Sequence, residues 1–187
     1  ILFDDLKTFM WFLRKGPKFY ATMMAQIFRK FRPNRESPLN KQIKDIAEKW
    51  CEKHLVSYEE CISKLGFKSI NQEVFSTDHI KEVERKITIS KSNFGGEGHI
   101  VLIYAICENL KAVKALETGV GYGWSSAAIL QSISKRSGKL ISVDMPMVRQ
   151  TDYHLIGVAV DENLKSNWEL LREPDRHGLN KAIKKHN

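Results

Sequence analysis

Cysteine is scarce in this 187-residue sequence: Cys51, Cys61 and Cys107 are its only three, and no two form a C-x-x-C pair. An odd, scattered set excludes a disulfide framework and a thiolate zinc site, and points to a reducing compartment, with the cytoplasm as the expectation. Cys107, inside an apolar run, reads as a small core residue. Long hydrophobic runs are lacking too. The longest uncharged apolar stretch, Ile100–Ile106, falls far short of the ~20 residues that span a bilayer. No secretory signal is legible, because Asp4 and Asp5 stand where basic residues belong and no cleavage site follows. The chain opens on Ile1 rather than Met, so a missing start is expected. There is no internal repeat and no low-complexity tract.

What is present is the balance of a globular protein, with 42% hydrophobic and 28% charged residues in 21.6 kDa. That is enough for one ordinary domain and a modest appendage. The net charge of +8 and pI near 9.4 favour anionic surroundings. The positive residues are dispersed, however: Arg29, Lys30, Arg32 and Arg35 lie far from Lys81, Arg85 and Lys86, and these from Lys181, Lys184 and Lys185. No basic stripe with interleaved aromatics emerges, which weighs against nucleic acid and leaves a lysine-rich solvated surface as the simpler reading.

The first half reads as helical. Leu2, Leu6, Phe9, Met10 and Leu13 recur at helical spacing until Gly16–Pro17 breaks the run. Lys18–Phe31 is basic, aromatic and rich in methionine. It is either an interfacial helix contacting a membrane or partner, or a helix packed on its own domain through Phe19, Met23, Ile27 and Phe31. Arg32–Pro38 reads as a polar linker. Helices follow over Leu39–His54, Tyr58–Leu65 (capped by Ser57 with Glu60, closed by Gly66) and Thr77–Lys86.

From Phe94 the pattern changes. Gly95, Gly96 and Gly98 precede an apolar helix, His99–Asn109. Ala112–Glu117 is a strand candidate, Trp124–Ser134 a helix, Lys139–Val143 a buried strand introduced by Gly138, and Trp168–Leu171 a third strand. Gly157–Val160 is a small apolar run, and Gly178–Lys185 looks like the start of a last helix. Alternation of strand and helix predicts a parallel α/β sheet. The expected fold is a partial, three-strand Rossmann-like sheet with a helical N-terminal segment, divided as 1–90 and 91–187. Its strand order should be third, second, first, leaving the first strand as an edge open to association or a homo-oligomer.

The chemistry concentrates in Glu117-Thr118-Gly119-Val120-Gly121-Tyr122-Gly123-Trp124-Ser125-Ser126, with Asp144 after the second strand. Glycines between a strand and a helix allow tight turning and let a nucleotide approach the backbone, beside a helix N-terminus suited to an anionic group. A dinucleotide loop runs G-x-G-x-x-G, whereas these glycines are spaced G-x-G-x-G. Glu117 beneath the loop suits a cationic amino group and repels a pyrophosphate. Asp144, at a strand end, is placed to bond two ribose hydroxyls.

These residues resemble the class I S-adenosylmethionine-dependent methyltransferases. Gly123-Trp124-Ser125 is similar to the Gly-aromatic-Ser of their small-molecule O-methyltransferase branch. The resemblance implies S-adenosyl-L-methionine as cofactor, with Glu117 near its methionine amino group and Gly119 and Gly121 beneath it. Thr118, Val120, Tyr122 and Gly123 complete the loop, Ser125 bonds the methionine carboxylate, Asp144 the ribose, and Asp175 the adenine amino group. It also implies a methyl acceptor that is a small molecule or sugar. Such enzymes have more strands than this chain provides, so a truncated half domain is expected. No catalytic base or metal site is legible: His79, His99 and His154 lack sequence-local partners. An NAD(P)-linked oxidoreductase and a non-catalytic nucleotide- or membrane-binding module are the alternatives.

Overall fold

The computed structural model describes residues 2–31, 38–70, 73–90, 93–145 and 152–186. Among these residues, eight α-helices and three strands run in the order α1 (Leu2–Lys15), α2 (Tyr20–Phe31), α3 (Pro38–His54), α4 (Tyr58–Lys64), α5 (Thr77–Thr88), α6 (Ile100–Asn109), β1 (Lys114–Thr118), α7 (Trp124–Ile133), β2 (Lys139–Val143), β3 (Trp168–Leu171) and α8 (Asp175–His186). The strands form one parallel sheet in the order β1-β2-β3. The fold class and strand order are those expected.

The sheet is covered on both faces, as parallel sheets require. Leu140 of β2 joins α6 and α7 in the main core, which also takes in Phe75, ahead of α5, and Val83 within it. Ile141 and Val143, which point the other way by strand alternation, pack with Ala182 of α8. Ser57 and Ser76 accept from the backbone N–H groups of Glu60 and His79, capping α4 and α5.

Two boundaries are corrected. β1 starts at Lys114 rather than Ala112 because the backbone N–H of Ala112 closes α6 onto Cys107, with Lys111 in the left-handed region. α8 starts at Asp175, not near Gly178. Gly178 lies inside the helix because a Cβ there would stand 2.3 Å from Val143 Cγ1. Gly157–Val160 forms a turn that hydrogen-bonds to the glycine loop.

α1 and α2 fold into a hairpin joined by a 3₁₀ turn, Pro17–Phe19. Phe12, Phe19 and Met23 form its core, with Ile27 and Met145 packed against them. The apolar face predicted over Lys18–Phe31 therefore packs on the protein itself, although the Phe31 side chain lies outside the described residues. Of the linker Arg32–Pro38, only Pro38, which opens α3, is described.

Candidate functional site

The C-terminal ends of the three strands carry the residues singled out by the sequence. The chain leaves β1 through Gly119, Gly121 and Gly123, at φ of +73°, +54° and +86°, and enters α7 at Trp124. A Cβ on Gly119 would meet no atom within 4 Å, so the backbone here borders open space. Gly121 and Gly123 answer to packing instead, since Cβ atoms there would stand 2.5 Å from the Phe94 carbonyl oxygen and 2.7 Å from Gly157 Cα. Of the two glycines expected beneath a cofactor, only Gly119 thus points its absent side chain at empty space.

The loop is held from outside. Gly157 N–H donates to the Gly121 carbonyl at 3.0 Å, Ala159 N–H to the Tyr122 carbonyl at 2.9 Å, and Gly119 N–H to the Val143 carbonyl at 2.8 Å. Val120 and Tyr122 are buried, the latter against the Phe94 ring, so their side chains do not line the open space beside Gly119. Thr118 is exposed at the strand end.

Glu117 sits beneath this loop as an acceptor hub. Ser125 donates to its Oε1 at 2.5 Å, while Ser126 and Ser142 donate to Oε2 at 2.5 and 2.7 Å. Ser142 in turn accepts from Trp168 Nε1–H at 2.8 Å. A carboxylate offers about four acceptor positions, of which these three hydroxyls take three. Ser125, expected on a methionine carboxylate, instead donates to Glu117 here.

Asp144 follows β2 directly, and its N–H donates to the Leu171 carbonyl at 3.0 Å. Its side chain is 16% exposed and forms an ion pair with Arg172, whose guanidinium also lies over the Tyr153 ring. Burial pushes the Asp144 carboxyl above the usual carboxylate range. The Arg172 charge and hydrogen bond oppose this, Asp175 reinforces it, and the Val120 N–H opposes it in turn. Asp175 is exposed as the first residue of α8, near enough to act on Asp144. Beside them, Glu173 is buried with Lys15 and Lys181 on one oxygen.

The histidines are elsewhere. His79 Nε2–H donates to the Ala159 carbonyl and its Nδ1 lies 3.0 Å from Asp161, so both ring nitrogens are engaged in holding α5 to the loop. His154 lines a neighbouring cleft of about 460 Å³ with Lys86 and Lys165. His99 occupies the N-cap of α6 without a side-chain cap bond. Among the described residues, no three His, Cys, Asp or Glu side chains converge as metal ligands, and no helix is long and apolar enough to cross a membrane.

Sequence reasoning missed Ser126, Ser142 and Arg172. A lone polar residue within the buried run Leu140–Val143 was a signal for Ser142; nothing in the sequence marked Arg172.

No family model matches the chain, and no curated protein does. One solved structure with a partly similar chain course is an SAH-bound methyltransferase, PaMTH1, from Podospora anserina. The two share 12% identity and superpose with a TM-score of 0.44 over 80% of this chain and 56% of that one. This chain thus spans a little over half that protein's length.

Proposed function

We propose that the chain is the S-adenosyl-L-methionine-binding part of a methyltransferase. One observation carries the reading: Gly119, with open space above its left-handed backbone, is hydrogen-bonded to Val143, the residue that precedes the half-buried carboxylate of Asp144. Two adjacent parallel strands thus present a bare backbone turn and an acid side by side at their C-terminal ends, the crevice where open α/β sheets bind nucleosides. In this reading Asp144 accepts from the ribose hydroxyls, Gly119 lets the ligand approach, and Asp175 faces the base. The remaining acceptor position of Glu117 takes the amino group. S-adenosylmethionine, when bound, supplies an already activated methyl group, so the protein's part is to align donor and acceptor.

Transfer to a hydroxyl of a small molecule or sugar rests on the resemblance at Gly123–Ser125. Trp124 is buried against Phe75 and contributes to packing there.

Calorimetry with S-adenosylmethionine, S-adenosylhomocysteine and NAD tests the reading. Either sulfur nucleoside should bind and NAD should not. Asp144→Ala should weaken binding about ten- to a hundredfold, the value of bonds to a charged acceptor. NAD affinity without a response to the sulfur nucleosides would overturn it.

A further inference from the structure

The residue that follows β3 directly has no role in the reading above, yet it pairs with Asp144 itself. Arg172 Nη1 donates to Asp144 Oδ2, and the same guanidinium lies with its carbon 5.7 Å from the Tyr153 ring centroid. Its side chain is 24% exposed, so the charge is held in place rather than free in solvent. We propose that Arg172 is a positioning residue that keeps the Asp144 carboxylate ionised and aimed for ribose hydroxyls. The ribose role rests on the proposed function; the control of Asp144 by Arg172 does not.

The surroundings of Asp144 make such a partner necessary. The strand that it follows, β2, is central and buried, which disfavours a charge beside it. From α8, Asp175 adds a second negative charge. From the glycine loop, the Val120 N–H offers a hydrogen bond but no formal charge. From the N-terminal hairpin, the cation facing this edge is Lys15, and it lies against Glu173, which also holds Lys181. His177 of α8 is turned to the Phe19 ring. Among the described residues, Arg172 is therefore the cation directly paired with Asp144. Burial and Asp175 already lift the Asp144 carboxyl above its usual range with the arginine in place. Removing an adjacent opposite charge raises a carboxyl further.

A protonated Asp144 loses the charged acceptor that makes its bonds to hydroxyls strong. The guanidinium engages one carboxylate oxygen, and a carboxylate has further lone pairs for two hydroxyls. Arg172 and ribose are thus partners on the same group rather than competitors for it.

The test uses the full chain as parent, Arg172→Gln and Arg172→Lys. S-adenosylhomocysteine affinity is measured from pH 5 to 8, and the Asp144 carboxyl is titrated by carbon NMR, with Asp144→Asn for assignment. In Arg172→Gln, both the acid limb of the affinity profile and the carboxyl titration should move up by about one to three pH units. Arg172→Lys should return both most of the way and guards against loss of fold as the cause. Unmoved titration, or tighter binding by Arg172→Gln at neutral pH, overturns the proposal. If the parent does not bind S-adenosylhomocysteine, the ribose role falls with the proposed function. The carboxyl titration still decides whether Arg172 controls Asp144.

Discussion

Gly123 and Gly157 meet backbone to backbone: a Cβ added to Gly123 would stand 2.7 Å from the Gly157 Cα. A Cβ on Gly157 would in turn stand 2.2 Å from Trp168 Cη2. The glycine loop, the turn that pins it and the first residue of β3 are therefore stacked with no space for a methyl group between them.

A graded response to alanine follows. Gly119→Ala meets no atom and bears only the left-handed backbone, about 1–2 kcal/mol. Gly157→Ala adds a collision with a ring to the same strain and should cost several kcal/mol or unfold the chain. Urea denaturation of the two variants checks the order, and equal stabilities would contradict it. Gly119→Ala should in addition lose S-adenosylhomocysteine affinity while remaining folded.

The elements that could be read from the sequence were those whose ends carry their own signal. β2 and β3 occupy Lys139–Val143 and Trp168–Leu171, the expected spans, because Gly138 opens the buried run of β2 and the apolar Trp168, Leu170 and Leu171 mark β3. β1 was started two residues early because the left-handed turn at Lys111, which usually calls for glycine, gave no visible sign of its extent. Gly178 looked like a breaker, yet its cause is contact with Val143, residues distant in sequence. The loop and Asp144 could be picked out one by one, since each residue type is tied to a strand end. The links between them, Glu117 to Ser142 and Asp144 to Arg172, arise from cross-strand register and were not local enough to be read.

Acid should loosen the join between α6 and the end of α7. Burial pushes the Glu108 carboxyl up, but the Ser132 hydroxyl, the Arg136 guanidinium at 3.2 Å and the Lys135 charge together hold it below the usual carboxylate range. A carboxyl lowered in the fold adds stability that is present above its unfolded value, near 4.5, and is lost as pH falls through the folded value. Thermal unfolding followed from pH 7 down to pH 3 should show Glu108→Gln losing less stability than the parent. Parallel curves would contradict it.

The cysteines should separate by reactivity. Cys51 is exposed on α3, whereas Cys107 is 9% exposed. Burial pushes the Cys107 thiol up; Arg136 pulls it down and Glu108 pushes it up again, leaving it raised. Thiolate is the reactive form, so an aromatic disulfide reagent should label Cys51 promptly and Cys107 only on unfolding. Mass spectrometry of the labelled peptides reads this out, and prompt modification of Cys107 in the native protein would contradict the buried placement.

The chain from Trp168 through Ser142 to Glu117 should behave as one unit. Ser142 is fully buried, accepts from the indole N–H at 2.8 Å and donates to the carboxylate at 2.7 Å. Ser142→Ala removes both bonds and leaves a donor and an acceptor position without a partner. A buried group left unsatisfied costs about 1–3 kcal/mol. Trp168→Phe removes the donor but spares the Ser142–Glu117 bond, so its polar loss is smaller. It also removes ring contact over Gly157, which adds a packing loss. Once the indole is gone, deleting the Ser142 hydroxyl no longer strands its N–H, so the double variant should fall short of the sum of the singles. Residues sharing a hydrogen-bond network couple by about 0.5–3 kcal/mol. Urea denaturation of the parent, both single variants and the double variant measures that coupling directly. Strict additivity would show that the indole and the hydroxyl act independently.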